Sequence, residues 1–406
     1  MPTHQHSIEA GNVPGSVGEI FRIIRNAEAP SRAALAQVSG LAPSTVSLRV
    51  DALMRLGLVR NSGEDESRGG RRARLLEVDN SAGFVAALDV GANHVKIALA
   101  DLSGNFLVVN EQAASFGEGP DAVVSRLWDI VQEQIGAAGL EETALMGIGL
   151  GLPAPIEYPS GRVVLPSFMP SLHDAVIPDC FAKYTHVPVL VENDANLFAL
   201  AELSEDHPES DQLLAVKLGT RIGCGIISEG RLHRGVGGAA GEISHTTVAG
   251  TPMIGCSCGV PNCLESIASG GAIVVRLAQR GYAVHNSADV VELGRSADPQ
   301  VVEILREAGT QIGEVLSSIV NFFNPRDVVL GGAMSASSPL VAAIRAQLFQ
   351  RCLPLVANDL EVRAARNPSD AGIRGATTYI LEEILAPARI DALARHQEDE
   401  LERSRA

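Results

Sequence analysis

Phe84-Val85-Ala86-Ala87-Leu88-Asp89-Val90-Gly91 reads as a buried strand running into a turn, and Val95-Lys96-Ile97-Ala98-Leu99-Ala100-Asp101 with Gly104 reads as a second strand closing on a hairpin turn. The layout recurs at Leu213-Leu214-Ala215-Val216-Lys217-Leu218-Gly219-Thr220, then Gly223-Cys224-Gly225-Ile226-Ile227, then Gly230. Two strand-turn-strand units of one design, set among helical stretches and glycine-rich turns, predict a duplicated α/β fold. A cleft between its halves is the favoured place for a ligand.

The whole chain has 406 residues, 46% of them hydrophobic, and 40 glycines, enough to bury more than one core. It has no run of about 18 apolar residues and no basic stretch leading into an apolar one. A soluble, cytoplasmic protein without a membrane partner is expected. Cys180, Cys224 and Cys352 are scattered, whereas Cys256, Cys258 and Cys263 cluster, which argues for reduced thiols plus a metal site over a disulfide scaffold.

That cluster includes His245, so three thiols and one imidazole fall within nineteen residues. These are the ligands zinc prefers in closed, tetrahedral structural sites, and a structural zinc near residues 245–263 is predicted from His245, Cys256, Cys258 and Cys263. The alternative is that the cysteines serve as small buried hydrophobes. Glu242 and Glu265 flank the ligands and would stand at the rim of whatever the metal folds.

The net charge of −16 is unevenly spread. Residues 1–80 hold ten arginines, no lysine and nine acids, net +1, leaving 22 basic and 39 acidic residues, net −17, for the remainder. Apolar positions Val17, Ile20, Phe21, Ile23 and Ile24 suit one face of a helix, and Ser31 is a suitable N-cap for a second that stops at Gly40. A third puts Val46, Val50, Leu53 and Leu56 on one face and leaves Ser44, Thr45, Ser47 and Arg49 elsewhere. Two short helices joined through a glycine-containing turn make a helix-turn-helix, whose second helix can enter the major groove.

Two strand-like pieces follow, Leu58-Val59-Arg60 and Arg74-Leu75-Leu76-Glu77-Val78, around a glycine and arginine loop with Arg68, Arg71 and Arg72. The loop reads as a wing whose arginines reach phosphates or the minor groove. A three-helix dimerisation domain with a solvated loop is the competing reading. The expected organisation is a flexible N-terminus at 1–13, a winged helix-turn-helix at 14–80 and a two-lobed module at 81–406. Residues 381–403 read as two short packing helices broken at Pro387.

Several motifs in order resemble the ROK family of repressors, open reading frames and sugar kinases. They are Asp89-Val90-Gly91, Val191-Glu192-Asn193-Asp194-Ala195-Asn196, Gly219-Thr220-Arg221-Ile222-Gly223, residues 235–245, the three-cysteine cluster, and Asn324-Pro325 leading to Val329-Leu330-Gly331-Gly332. With a helix-turn-helix upstream, the chain resembles the repressor branch, with its N-acetylglucosamine, xylose and glucose regulators. The resemblance implies an actin-like, ribonuclease H-like module, a homodimer or homotetramer, a double-stranded operator and a sugar or sugar phosphate effector.

It also implies that Asn193, Asp194, Glu242, His245 and Glu265 bind the sugar, with His245 offering one ring nitrogen to zinc and the other to the sugar. Gly151, Pro153 and Glu157 resemble the family's sugar-side loop. In kinase members the residue matching Asp194 is the general base, so the alternative is an ATP-dependent sugar kinase using Asp194. A helix-capping role for Asp194 is the plainer reading. Kinases carry Asp-x-Gly-Gly-Thr-Lys where this chain has Asp89-Val90-Gly91-Ala92-Asn93-His94, and favour glycine where it has Arg221. Both phosphate loops thus depart from the kinase pattern. A receptor that does not consume ATP is expected.

Overall fold

The structure is a computed structural model that describes residues 13–27, 30–64, 74–91, 94–114, 116, 119–164, 170–204, 211–249 and 253–405. Arg68, Arg71 and Arg72 of the expected wing, residues 92–93 of the first phosphate loop and residues 1–12 of the expected flexible N-terminus lie outside the described residues.

The chain opens with three helices, α1 (Val17–Arg25), α2 (Arg32–Ser39) and α3 (Pro43–Arg55), followed by the antiparallel pair β1 (Val59–Glu64) and β2 (Arg74–Val78). Local chemistry sets their limits. Ser16 and Ser31 accept hydrogen bonds from the Glu19 and Ala34 amides, satisfying first-turn donors, and α2 ends on Gly40 in the left-handed region. Ile20, Phe21, Leu35, Val46, Val50, Leu53 and Leu76 close the core, a winged helix-turn-helix arrangement.

The first lobe is a five-stranded sheet of order β5-β4-β3-β6-β9, built from β3 (Phe84–Val90), β4 (His94–Asp101), β5 (Phe106–Ala113), β6 (Leu145–Leu152) and β9 (Val189–Asn193). Its first three strands form an antiparallel meander, while β6 and β9 run parallel to β3. Helix α4 (Pro120–Ala138) covers one face through Val123, Val124, Leu127 and Val131. A small hairpin of β7 (Ile156–Glu157) and β8 (Arg162–Val163) and a short helix α5 (Ile177–Phe181) lie between β6 and β9.

After α6 (Asp194–Ser204) the design repeats. The second sheet has order β12-β11-β10-β13-β14, from β10 (Leu213–Leu218), β11 (Ile222–Ser228), β12 (Arg231–Leu232), β13 (Asp327–Gly331) and β14 (Glu361–Ala364). Again a meander carries two parallel strands on one edge. Helices α7 (Leu264–Ala268), α8 (Gly270–Gln279), α9 (Ser287–Arg295), α10 (Pro299–Phe323), α11 (Ser338–Arg351) and α12 (Pro354–Ala357) complete this lobe. The duplication expected from the two strand-turn-strand units is therefore present, strand for strand.

Helix α13 (Ala371–Ile384) returns to the first lobe and packs with α6 between the sheets, sharing a core of Ala87, Leu197, Leu200, Leu213, Val329, Ile373 and Ala376. The break at Pro387 occurs as read from the sequence, but α14 (Pro387–Arg405) runs for 19 residues and is not the short piece expected. Helices α13 and α14 seat the N-terminal domain. Ile380, Leu381, Ile384, Leu385 and Ile390 join the core of α1, the Gly18 amide donates to Asp391 Oδ1 at 2.8 Å, and Gln397 Nε2 donates to the Arg55 carbonyl at 3.0 Å. Among the described residues no helix is long and apolar enough to cross a membrane.

Candidate functional site

A cleft of about 600 Å³ opens between the lobes, lined by the strand and helix ends at which the duplicated units face each other. Asn193 and Asp194 enter from the junction of β9 and α6. Asn193 Oδ1 accepts from the Ala195 amide and its Nδ2 donates to the Ala154 carbonyl, both at 2.9 Å, so Asn193 supplies the local side-chain cap. Asp194 is thereby free of the capping role. Its Oδ2 lies 2.7 Å from Lys217 Nζ, an ion pair reaching across the cleft from β10 of the second lobe.

Lys217 does not figure among the residues singled out by sequence. Burial alone would lower its pKa, but the Asp194 and Asp89 carboxylates and the Asp194 hydrogen bond hold the ammonium above the usual lysine range. Asp89, at the end of β3, is half-buried, and its withdrawal from water pushes the carboxyl up. His94 packs against Gly91, so closely that a Cβ there would meet the ring Cε1 at 2.2 Å. The His94 side chain and the Lys217–Asp194 pair line the cleft beside Gly91.

Glu265 and Arg221 meet at the second loop. Glu265 Oε2 accepts from the Ile222 amide at 3.0 Å, and Oε1 lies 3.5 Å from Arg221 Nη1. Glu265 thus faces the cleft already engaged by the loop that would approach a phosphate. Glu242 lines the same wall. Burial against the cleft, then the Asp194 and Glu265 charges, push its carboxyl above the ordinary range. Gly241 precedes it with φ +94, backed so tightly on β11 that a Cβ would stand 1.9 Å from the Cys224 carbonyl oxygen; only glycine fits.

His245, Cys256, Cys258 and Cys263 converge, their ligand atoms all within 4.8 Å of one another. Cys258 and Cys263 Sγ are 3.4 Å apart, and Cys256 Sγ is 3.7 Å from His245 Nδ1. One ion held at about 2.0–2.3 Å from each donor would span such a set. Three thiols this close resist ionising together without a cation: burial and the adjoining Cys258 thiol push Cys263 up to about 12. Burial, then the Arg221 charge, lower the pKa of His245 and favour the neutral imidazole that ligates. Since Nδ1 faces the thiols, Nε2 remains for the cleft, which His245 also lines.

Asn193, Asp194, Glu242, His245 and Glu265 therefore line one cleft with the metal-ligand set on its wall. Pro153 joins them, whereas Glu157 is turned into a bidentate pair with Arg162, at 2.7 and 2.9 Å, with Ser160 Oγ donating to it at 2.8 Å. Gly151 gives room to Leu197 Cδ1, which a Cβ would approach to 2.7 Å. In the N-terminal domain Ser44 is exposed and Thr45 and Ser47 are half-buried on α3, while Arg49 Nε donates to the Gly15 carbonyl at 3.2 Å. Leu48, 68% exposed on the same helix, also escapes a reading that sought only polar groups, although an apolar side chain there can meet a thymine methyl.

A model of the ROK family matches residues 85–383. The xylose repressor of Bacillus spizizenii is 29% identical over 361 residues, covering 87% of this chain and 92% of that protein. A glucokinase of Thermotoga maritima is 30% identical over 318 residues, covering 73% of this chain and 97% of that one. Among solved structures, a ROK family transcriptional regulator, a homologue of the Escherichia coli MLC protein, superposes with a TM-score of 0.79 at 25% identity, covering 93% of this chain and 98% of that one.

Proposed function

The chain belongs to the ROK family, and on that premise we propose that it is a transcriptional repressor of carbohydrate genes whose operator binding responds to a sugar or sugar phosphate in the inter-lobe cleft. The observation that carries this reading is the Lys217–Asp194 ion pair. A general base must accept a proton, and a carboxylate held by a fixed ammonium is a poorer acceptor than a free one. The same pair leaves the other Asp194 oxygen able to accept from a sugar hydroxyl. With His94 against Gly91 and Arg221 in the second phosphate loop, the cleft suits binding better than phosphoryl transfer.

In this reading the DNA-binding domain spans residues 14–80 and the sensor 81–406. Ser44, Thr45, Ser47 and Arg49 face base edges, and Arg68, Arg71 and Arg72 the backbone or minor groove of a palindromic operator, bound by a homodimer or homotetramer in the cytoplasm. Asn193, Asp194, Glu242, His245 and Glu265 hold the sugar. Zinc is the ion that the His245, Cys256, Cys258 and Cys263 donors suit, and when bound it supplies a crosslink that holds residues 245–263 together. The glucokinase relatives and the cleft position of Asp194 favour a second reading, a sugar kinase with Asp194 as base.

The test pairs two assays on the full chain. Duplexes selected from a random pool are bound with and without D-xylose, D-glucose, N-acetylglucosamine and the 6-phosphates of the last two, and ADP release is followed with the same sugars. A repressor changes its operator affinity with at least one sugar and releases no sugar-dependent ADP. Sugar-dependent ADP release abolished by Asp194→Ala would establish the kinase instead.

A further inference from the structure

Between β12 and the metal-ligand loop, one arginine touches three separate parts of the molecule. Arg234 Nε donates to Glu192 Oε2 at 2.7 Å, and its guanidinium lies 4.6 Å from the centroid of Tyr158 and 5.1 Å from that of Tyr379. Glu192 is only 3% exposed, and its Oε1 accepts from the Asn193 amide and from Asn196 Nδ2, both at 2.9 Å. A buried carboxylate with three donors has its charge answered and its position fixed. Arg234 therefore helps to set where β9 ends and α6 begins, the junction from which Asn193 and Asp194 enter the cleft.

The same arginine belongs to the loop that ends at Glu242. Its carbonyl accepts from the Ala240 amide, and the Gly237 carbonyl accepts from the Tyr158 amide, so the loop is tied to the β7–β8 turn by its backbone. Tyr379, on the other side, is part of α13. One turn later Glu382 lies with Arg22 and Arg25 of α1 in a crevice between the sensor and the DNA-binding domain. The apolar side chains of that turn, Ile380, Leu381 and Ile384, are the seat of α1.

We propose that Arg234 is a positioning residue that relays occupancy of the cleft to the DNA-binding domain, through its stack on Tyr379 and hence through α13. The inference rests on the repressor reading. Ligand contacts that shift the 233–241 loop or the β9–α6 junction displace a guanidinium in contact with two rings, and α13 follows because one of those rings is its own. Arginine suits this place because its planar fork can hold a carboxylate at its edge and aromatic faces on both sides, which a lysine ammonium cannot. Direct packing of α6 on α13 through Leu197 and Ala376 is a separate route that bypasses Arg234.

The full-length protein is compared with Arg234→Lys, Arg234→Ala and Tyr379→Leu, using a duplex selected from a random pool. The sugar is whichever of D-xylose, D-glucose and N-acetylglucosamine stabilises the wild type. Calorimetry reads sugar affinity, and anisotropy reads operator affinity with and without saturating sugar. The wild type is expected to change its operator affinity by on the order of tenfold. Arg234→Lys and Tyr379→Leu should bind sugar, and unliganded operator, within about threefold of wild type, while the sugar-induced change falls below about threefold. Arg234→Ala, which leaves the Glu192 charge buried and unanswered, should also lose sugar affinity, by about tenfold or more. If either Arg234→Lys or Tyr379→Leu keeps the wild-type ratio, the relay is overturned in favour of direct helix packing. A Tyr379→Leu protein that loses sugar binding overturns it too, because the ring would then serve the sugar. A wild type whose operator affinity ignores all three sugars and the 6-phosphates of glucose and N-acetylglucosamine sinks the repressor reading itself.

Discussion

Lys217 shows how one side chain on a strand can redirect a cleft. Its ammonium is 2.7 Å from Asp194, with the two side chains 33% and 18% exposed, so solvent screens part of the attraction. Asp194→Asn would leave that ammonium with only the Asp89 carboxylate to answer it. The expected loss is about 1–2 kcal/mol of stability, below the figure for a fully buried pair, together with the thermal shift that sugars give the wild type. A variant that keeps the full sugar-induced shift would remove Asp194 from the sugar site. Glu157 makes the opposite case, a carboxylate spent on its own loop. The side-chain hydrogen bonds from Arg162 and Ser160 lower its pKa to about 2. Because the folded value is depressed, the pair's contribution is complete above the ordinary glutamate range and fades as pH falls from about 4.5 towards 2. Glu157→Gln should therefore melt below the wild type at pH 7, with the gap narrowing through that window and sugar affinity unchanged.

At the scale of elements, the segment from β12 to α7 holds the cleft wall with little regular structure. Its order rests on a few fixed points: Gly241 against Cys224, the Ile222 amide on Glu265, and the His245, Cys256, Cys258 and Cys263 donors. Cys258→Ser, or exhaustive chelation, should lower the melting temperature by roughly 5 °C or more, the shift expected when about 2 kcal/mol is lost from a lobe of this size. Metal analysis of the purified protein should find about one equivalent of zinc, lost in the variant. An unaltered melting curve would show that the thiols are mere packing. The donors are legible in the sequence because they fall within a short span, and the sheets because each central strand is a mostly apolar run. Lys217 and Arg234 are not. A lysine inside an apolar strand announces a partner without naming it, and only the placement of β10 beside the first turn of α6 reveals Asp194. Arg234 finds Tyr158, Glu192 and Tyr379 on three different elements, a convergence that no local pattern encodes.

Across the whole molecule, the decisive contact is the one that joins the first helix to the last. Gly18 on α1 approaches α14 so closely that a Cβ would lie 2.0 Å from the Pro387 carbonyl oxygen, and backbone on backbone leaves no flexible side chain to yield. The N-terminal domain is therefore seated in one orientation on the sensor, with Asp391 accepting from the Gly18 amide beside the apolar contacts of Ile384, Leu385 and Ile390. Such a seat can transmit a signal only if it holds in one ligand state and gives in the other. Gly18→Ala must push α1 away from α14 at a cost of about 1–3 kcal/mol, while the core of the N-terminal domain, built on Ile20, Phe21, Val46 and Leu53, is left whole. Operator affinity without sugar should then drift towards the sugar-bound value, and the change that sugar produces should shrink, with sugar affinity itself altered only by the linked amount. Anisotropy titrations with and without sugar, run beside limited proteolysis between α1 and β3, test the two halves of this expectation together. A Gly18→Ala protein with wild-type operator affinities in both states would show that the seat is rigid support, and that the signal leaves the sensor by another path.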